Sequence, residues 1–421
     1  MLHINKIREN KENYITLLKL KNMDATELFD AVIAKDDERK ATQQKADELL
    51  FKGNQLAKRI GEMYKTGNAA EANVLKEESS SIKEESKLLQ TKQTELEKEI
   101  QNILVQIPNV PHPTVPAGKS DADNVTLKEV GTIPTLMEGA KPHWELTTDY
   151  SLIDFELGNK ITGAGFPVYT HHGAKLQRAL IAYFLDKNTA AGYTEYLPPH
   201  LVNEASGFGT GQLPDKEGQM YHATEDNLYL IPTAEVPVTN FFRDVIVKEF
   251  PIKCTAYTPC FRREAGSYGK EVRGLNRLHQ FDKVEIVQVQ HPENSYETLD
   301  VMVKHVASIL DELELPYKIL QLCGGDLSFT SALTFDFEVY SAGQERWLEV
   351  SSVSNFESYQ ANRLKLRYKD DNGKTQLCHT LNGSALALPR IYAALIENNQ
   401  TAEGIKIPKA LQPYTGFDII E

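Results

Sequence analysis

Cysteine is scarce: Cys254, Cys260, Cys323 and Cys378 are the only four in 421 residues, and no two form a CxxC pair. So few thiols cannot frame a disulfide scaffold and offer no zinc-ligand spacing, so small buried or half-buried apolar side chains are expected there. No apolar run approaches 18 residues and mean hydropathy is −0.40, which excludes a membrane-spanning helix. Positive charge is short, with a formal net charge of −13, taken globally the wrong sign for a nucleic-acid binder. The opening residues, MLHINKIRENKEN, are too polar for a secretory signal and hold acidic residues that a mitochondrial presequence avoids, so a cytoplasmic location is expected.

Proline is missing between Thr26 and Pro108. Across that gap Leu75, Ile82, Leu89, Leu96 and Ile103 recur every seven residues, and Ala46, Leu49, Leu56, Ile60 and Met63 follow three-four spacing with Gly53 in the gap. Heptad spacing predicts two antiparallel helices of roughly 35–40 residues, reversing at Gly67-Asn68, where positive φ is available. The residues before Thr26 give no defined pattern and predict a helical or strand lead-in. The acidic excess falls elsewhere: residues 1–105 hold 18 Lys and Arg against 19 Asp and Glu, and within 49–66 Lys52, Lys58, Arg59 and Lys65 face Glu62 alone. This quarter of the chain is the part able to approach phosphates. On periodicity alone a dimerising coiled coil is the plainer reading.

Four prolines in PNVPHPTVPAG, residues 108–118, stop the helix and mark a domain boundary. Beyond it, 171–192 is an amphipathic helix, and strand-like runs recur at 228–231, 255–257, 284–289, 334–340 and 347–352, with further helices at 295–313 and 385–397. Mostly antiparallel strands flanked by helices predict an α+β layer fold. The densest chemistry lies in TPCFRREAGSYGKEVRGLNRLHQFDKVEIV, residues 258–287, which reads as two antiparallel strands joined by a long glycine-containing loop. Arg262, Arg263, Glu264, Arg277 and Glu285 are placed in its strand arms, with Arg262 and Glu264 on one face. Such a cluster can clamp polyphosphate, because Arg offers a rigid fork to phosphate oxygens; a solvated, salt-bridged hairpin would carry the same charges.

This stretch resembles motif 2 of the class II aminoacyl-tRNA synthetases, in the FRxEAGS…RGLxRxHQFxKVE form of the seryl-tRNA synthetases. TAEVP at 233–237 is similar to that family's TxE loop, NGSALALPR at 382–390 to motif 3, and GYTEYLPP at 192–199 to motif 1. The matches stand in family order with no segment missing, and the resemblance covers essentially the whole chain. The resemblance implies a long N-terminal antiparallel helical arm on a class II antiparallel-sheet catalytic domain. Residues 1–107 would form the tRNA-binding domain, with the arm over about 26–104, 108–118 the linker, and 119–421 the catalytic domain. Scarce cysteine speaks against the zinc-dependent archaeal variant.

The implied reaction joins L-serine and ATP as seryl-adenylate and passes serine to the 3′ end of tRNA(Ser), or tRNA(Sec) where an organism uses selenocysteine. By the same resemblance Arg262 bridges the α-phosphate and the serine carboxylate, while Arg390 and Arg277 hold the outer phosphates. Arg263, Glu264, Leu278 and Phe281 belong to the ATP set, with Glu264 accepting from the adenine amino group and Phe281 stacking on the ring. Thr233, Ala234, Glu235, Glu285 and Ser384 serve serine. Glu349, Val350, Ser351 and Ser352 form an ATP segment in which Glu349 and Ser352 are the Mg²⁺ ligands. Lys52, Lys58, Arg59 and Lys65 would meet tRNA, the loop at 265–274 would touch its acceptor end, and motif 1 implies a homodimer with no membrane partner. The residues alone say less: Phe281 fits a core position, Ser384 before a helix fits an N-cap, WLEVSSVSNF reads as a plain alternating strand, and Pro389 stands where the family often has glycine. Two other readings remain: a paralogue loading a carrier protein, against which the intact arm counts, and a non-catalytic coiled-coil protein, against which Arg262 and Arg390 count.

Overall fold

The computed structural model describes residues 1–264 and 273–421. These divide into two compact units, one of residues 2–18 and 23–108, the other of Met1, residues 19–22 and 109–421.

In the first unit, helix α1 (Ile4–Leu18) occupies the stretch expected as an undefined lead-in, kinked at Asn10 (φ −127°). Its apolar Ile7, Ile15 and Leu18 are buried, which a polar composition hides. Helices α2 (Thr26–Lys65) and α3 (Ala69–Leu104) form the expected antiparallel pair, about 60 and 54 Å long at about 1.5 Å per residue. Gly67 alone takes the left-handed turn (φ +82°); Asn68 stays at φ −88°. The heptad line is half of the α3 seam. Ala72, Ser79, Ser86, Gln93 and Ile100, three residues before each expected apolar position, are the other half, all at least partly withdrawn from solvent. Gly53 lies on this seam opposite Ile82, whose Cγ2 would stand in ordinary contact, 3.5 Å, with an added Cβ.

Buried Asp36 on α2 gathers Arg8 of α1 (2.9 Å), Arg39 (2.7 Å) and Lys40 (2.9 Å). Burial by itself raises its carboxyl, but these donors together lower it to about 2. Lys35–Glu99 and Lys92–Glu38, both 2.7 Å, tie α2 to α3.

The second unit is built on an eight-stranded sheet: β1 (Val125–Val130), β2 (Thr194–Tyr196), β3 (Ile252–Phe261), β4 (Gln280–Gln290), β5 (Tyr317–Gln321), β6 (Leu333–Ser341), β7 (Arg346–Asn355) and β8 (His379–Ala387), in the order β1-β5-β6-β7-β8-β4-β3-β2. Every pair is antiparallel except β2–β3. The helices that position the site are α4 (His143–Asp149), α5 (His171–Ala190), α6 (Glu235–Asn240), α7 (Ser295–Glu312), α8 (Ser358–Leu364) and α9 (Leu388–Asn398). Leu176, Leu180 and Phe184 of α5, Met302 and Val306 of α7, and Ile391 and Leu395 of α9 pack into one core with Val284 and Ile286 of β4, Phe337 of β6, and Val350 and Val353 of β7. Alternation along β4 sends Val284 and Ile286 into that core and leaves Phe281, Lys283 and Glu285 for the other face. All four cysteines are buried, as expected. No helix among the described residues is long and apolar enough to cross a membrane.

Three placements differ from the sequence expectation. The arms of 258–287 are shorter than expected: β3 ends at Phe261 and β4 starts at Gln280, so Arg262, Arg263, Glu264 and Arg277 lie off the strands, and Glu264 takes φ +47°, which breaks strand alternation. Ser384 is not an N-cap but sits inside β8, opposite Glu285. The helix begins only at Leu388, with Pro389 in its first turn, where a missing N–H costs nothing.

Candidate active site

The sheet face opposite the core opens into a cleft of about 610 Å³. Its innermost wall is polar. Glu285 of β4 receives Thr233 Oγ1 (3.1 Å) and Lys283 Nζ (2.5 Å) on its Oε2, leaving Oε1 unengaged by that pair. Lys283 and Glu285 are two apart on one strand and therefore share a face. Glu235, at the start of α6, receives Gln360 Nε2 of α8 (2.6 Å), and Gln360 is held in turn by Thr380 Oγ1 (2.7 Å). Burial first, and repulsion from Glu285 second, push the Glu235 carboxyl up to about 7, against the pull of Gln360, Lys283 and Asn382. Ser384 and Asn382 of β8 complete this end. Ala234 turns instead into an apolar cluster with Val238, Cys254 and Val287.

Cations occupy the cleft's flank. Arg262 donates from Nε to Pro232 O (3.3 Å), with its guanidinium 5.3 Å from the Phe281 ring centre. Arg277 is ion-paired with Glu264 through Nε and Oε2, so these two meet each other across the cleft mouth. Arg390, on the first turn of α9, donates to Asn276 O (3.1 Å) and Glu349 O (2.8 Å), with the Glu349 carboxylate 3.6 Å away. Leu278 lines the same wall. Arg263 does not: its guanidinium lies 5.7 Å from the Tyr221 ring centre, and its backbone N–H donates to Gln219 O (2.9 Å).

Glu349 and Ser352 are three apart, and simple alternation would set them on opposite faces. A register shift intervenes: Glu338 pairs with Glu349, but Phe337 pairs with Ser351 and Asp336 with Ser352, so Val350 is an extra residue. The bulge returns Glu349 and Ser352 to one face. Asp336 joins them with one carboxylate oxygen buried and unpartnered. Burial, then repulsion from Glu349, raise its carboxyl, opposed by a hydrogen bond from Ser352. An all-oxygen donor set of this kind suits a hard divalent cation.

Sequence reasoning missed Lys283, Asn382, Asn276 and Gln360. Period-two spacing could have found the first two, since Lys283 precedes Glu285 by two residues and Asn382 precedes Ser384 by two. It also missed Lys21, whose Nζ donates to Ser328 O (2.7 Å) and Ser331 O (2.8 Å), fixing the backbone of a cleft-lining loop. Burial pushes this amine down to about 7, and no local motif announces it. Of the loop expected at an acceptor end, 265–272 lie outside the described residues. The four expected arm cations are all exposed but form no single stripe. At about 100° per residue, Lys52 and Arg59 share one side of α2 and Lys58 and Lys65 another, and Lys52 is paired with Glu78 at 2.8 Å.

An antiparallel sheet whose cleft carries arginines from the β3–β4 connection and from the helix after β8 defines a class II aminoacyl-tRNA synthetase, and residues 219–399 match the family profile of the tRNA synthetase class II core domain (G, H, P, S and T). Residues 1–111 match the seryl-tRNA synthetase N-terminal domain. The chain belongs to the seryl-tRNA synthetase family, the serine–tRNA ligases. It is 46% identical to the serine–tRNA ligase of Salinibacter ruber, over 99% of this chain and 98% of that one, and 46% identical to that of Chlorobaculum parvum, over the full length of both. Among solved structures, the seryl-tRNA synthetase of Pyrococcus horikoshii complexed with ATP superposes with a TM-score of 0.91 at 32% identity, covering 100% of this chain and 99% of that one. The cytoplasmic serine–tRNA ligase of Naegleria fowleri, in complex with AMP, superposes at 0.87 with 27% identity, covering 100% and 99%. The family and fold read from the motifs are borne out.

Proposed function

We propose that this cleft activates L-serine with ATP to seryl-adenylate and transfers serine to the 3′ end of tRNA(Ser), in the cytoplasm. The observation that carries the reading is the division of one cleft into a small polar end, Thr233, Glu235, Glu285 and Ser384, and a cationic flank, Arg262, Arg277 and Arg390. Two anions, a carboxylate and a triphosphate, must be brought together for in-line attack, and Arg262 stands between the two halves. The Glu285 Oε1, which neither Thr233 nor Lys283 engages, and the Ser384 hydroxyl suit a substrate hydroxyl, which such a site discriminates far better than an apolar pocket would. Arg277 and Glu264 part on ATP binding in this reading, the arginine taking phosphate and the carboxylate the adenine amino group. A Mg²⁺ arriving with ATP would rest on Glu349 and Ser352 and offset phosphate charge. ATP–pyrophosphate exchange over a panel of amino acids tests the reading, and exchange that does not depend on serine refutes it. Charging of tRNA(Ser) and tRNA(Sec) transcripts then decides the acceptor range.

Glu235 makes serine binding pH-dependent. Its carboxyl, at about 7, holds a proton to higher pH than in the unfolded chain, so this group's contribution to stability falls as pH rises from about 4.5 to 7. An incoming ammonium needs the carboxylate, so KM for serine is expected to rise about fivefold from pH 7 to 6 and about tenfold per unit below that. KM measured by exchange across pH checks this, and Glu235→Gln is expected to remove the slope.

A second copy of the chain is proposed to cover the β2 edge. Leu197 is 81% exposed, with Tyr196, Leu201 and Phe241 also exposed beside that edge strand. Leu197→Asp is expected to shift sedimentation from dimer to monomer; a wild-type monomer would refute the assignment.

A further inference from the structure

His143 and Glu397 are fully buried, yet neither touches the cleft. Glu397 Oε1 accepts both the backbone N–H and the Nδ1 of His143, each at 2.7 Å, and Glu397 Oε2 accepts the Ser341 hydroxyl. On the other side of the ring, Leu275 N–H donates to Nε2 at 2.9 Å. A backbone N–H can only donate, so Nε2 carries no proton and Nδ1 carries the ring's one hydrogen. This is no nucleophilic triad, because Ser341 meets the carboxylate rather than the imidazole and Nε2 is occupied.

The network leads to the nucleotide wall instead. Gln344 donates to Ser341 Oγ (2.7 Å) and accepts from Asn276 Nδ2 (2.9 Å), and Asn276 O accepts Arg390 Nε (3.1 Å). Arg390 and Glu397 lie two turns apart on α9, so segment 274–277 is tied to one helix at two points about 10 Å apart. Gly274, at φ +64°, brings the chain against the ring, since a Cβ there would lie 2.3 Å from His143 Nε2.

We propose that His143, held by Glu397, is a positioning residue that sets Arg277 and Arg390 at a fixed spacing for the phosphates of the nucleotide. The inference rests on the assignment of ATP to this cleft. Loss of the tether is expected to leave the serine end in place, because among the described residues Glu285, Thr233 and Glu235 are bonded to one another, Lys283 and Gln360 and not into this network.

The test is serine-dependent ATP–pyrophosphate exchange with ATP and serine varied separately, beside thermal unfolding. Wild-type enzyme without exchange would refute the ATP assignment itself. Given exchange, H143A and H143N are expected to raise KM for ATP by about tenfold or more while KM for serine moves less than about twofold, since small misplacements of binding groups are costly. H143N retains a donor toward Glu397 only, whereas H143Q sets an amide oxygen near the Nε2 position and is expected to recover part of the ATP affinity. Unchanged KM for ATP in the folded variants, equal rises for both substrates, or H143Q no better than H143A would each overturn the proposal. Should the His143 variants fail to fold, Q344A removes the Asn276 tether along with the Gln344 bonds to Ser341 and Glu397 while His143 still receives Leu275 N–H, and the absence of an ATP-selective rise there overturns it equally.

Discussion

Arg390→Ala is expected to lower serine-dependent ATP–pyrophosphate exchange by about a hundredfold or more while the protein stays folded. Arg390 reaches the cleft from the first turn of α9, where carbonyls of Asn276 and Glu349 hold its guanidinium before any substrate arrives. Removing one preorganised donor from charge that develops in the transition state costs about 3 kcal/mol or more. Arg262→Ala is expected to do the same with a larger rise in KM for serine, because Arg262 is bonded to Pro232 O, the residue next to Thr233 of the polar end. A rate within a few-fold of wild type for either folded variant would remove that arginine from the reacting centre.

Shortening the helical hairpin is expected to separate the two halves of the reaction. Gly53 and Ile82 face each other across the α2–α3 seam, so residues 54–81 can be replaced by a short Gly/Ser turn without stretching the chain. The base survives, since Arg8 and Lys11 of α1 still meet Asp36 and Asp30 of α2 and the Lys35–Glu99 and Lys92–Glu38 pairs remain. Lys58, Arg59 and Lys65 are lost with the tip. Exchange is expected within about twofold of wild type, whereas charging of tRNA(Ser) at low tRNA concentration falls about a hundredfold and its salt dependence flattens by about one unit of slope per lost phosphate contact. Full charging by the shortened enzyme would refute a tRNA role for the hairpin tip. Loss of exchange together with dimerisation would instead favour the coiled coil as the subunit contact.

How far the sequence carries can be seen at Glu349 and Ser384. Motif resemblance placed both in the site, while their local pattern argued against it: three-residue spacing on a strand sets side chains on opposite faces, and a serine before a helix suggests a cap. The bulge at Val350 and the extension of β8 to Ala387 reverse both arguments, and each depends on pairing with a distant strand. Lys21, Gln360 and His143 had no signal at all. Each has a partner between 125 and 310 residues away, Ser331 for Lys21, Glu235 for Gln360 and Leu275 for His143, a separation that no window of periodicity spans.

The sequence by itself determined the family, the antiparallel pair of long helices and the α+β class, because local periodicity, proline placement and contiguous motifs carry that information. Tertiary structure alone decided that Arg277 faces Glu264, that the arm cations form two short rows, that burial beside Glu285 pushes the Glu235 carboxyl up to about 7, and that a buried histidine and glutamate are bonded to the Leu275 backbone of the cleft wall. The reason is physical: periodicity reports which side of an element is apolar, whereas charge state and orientation depend on desolvation and on partners brought together only when the sheet closes.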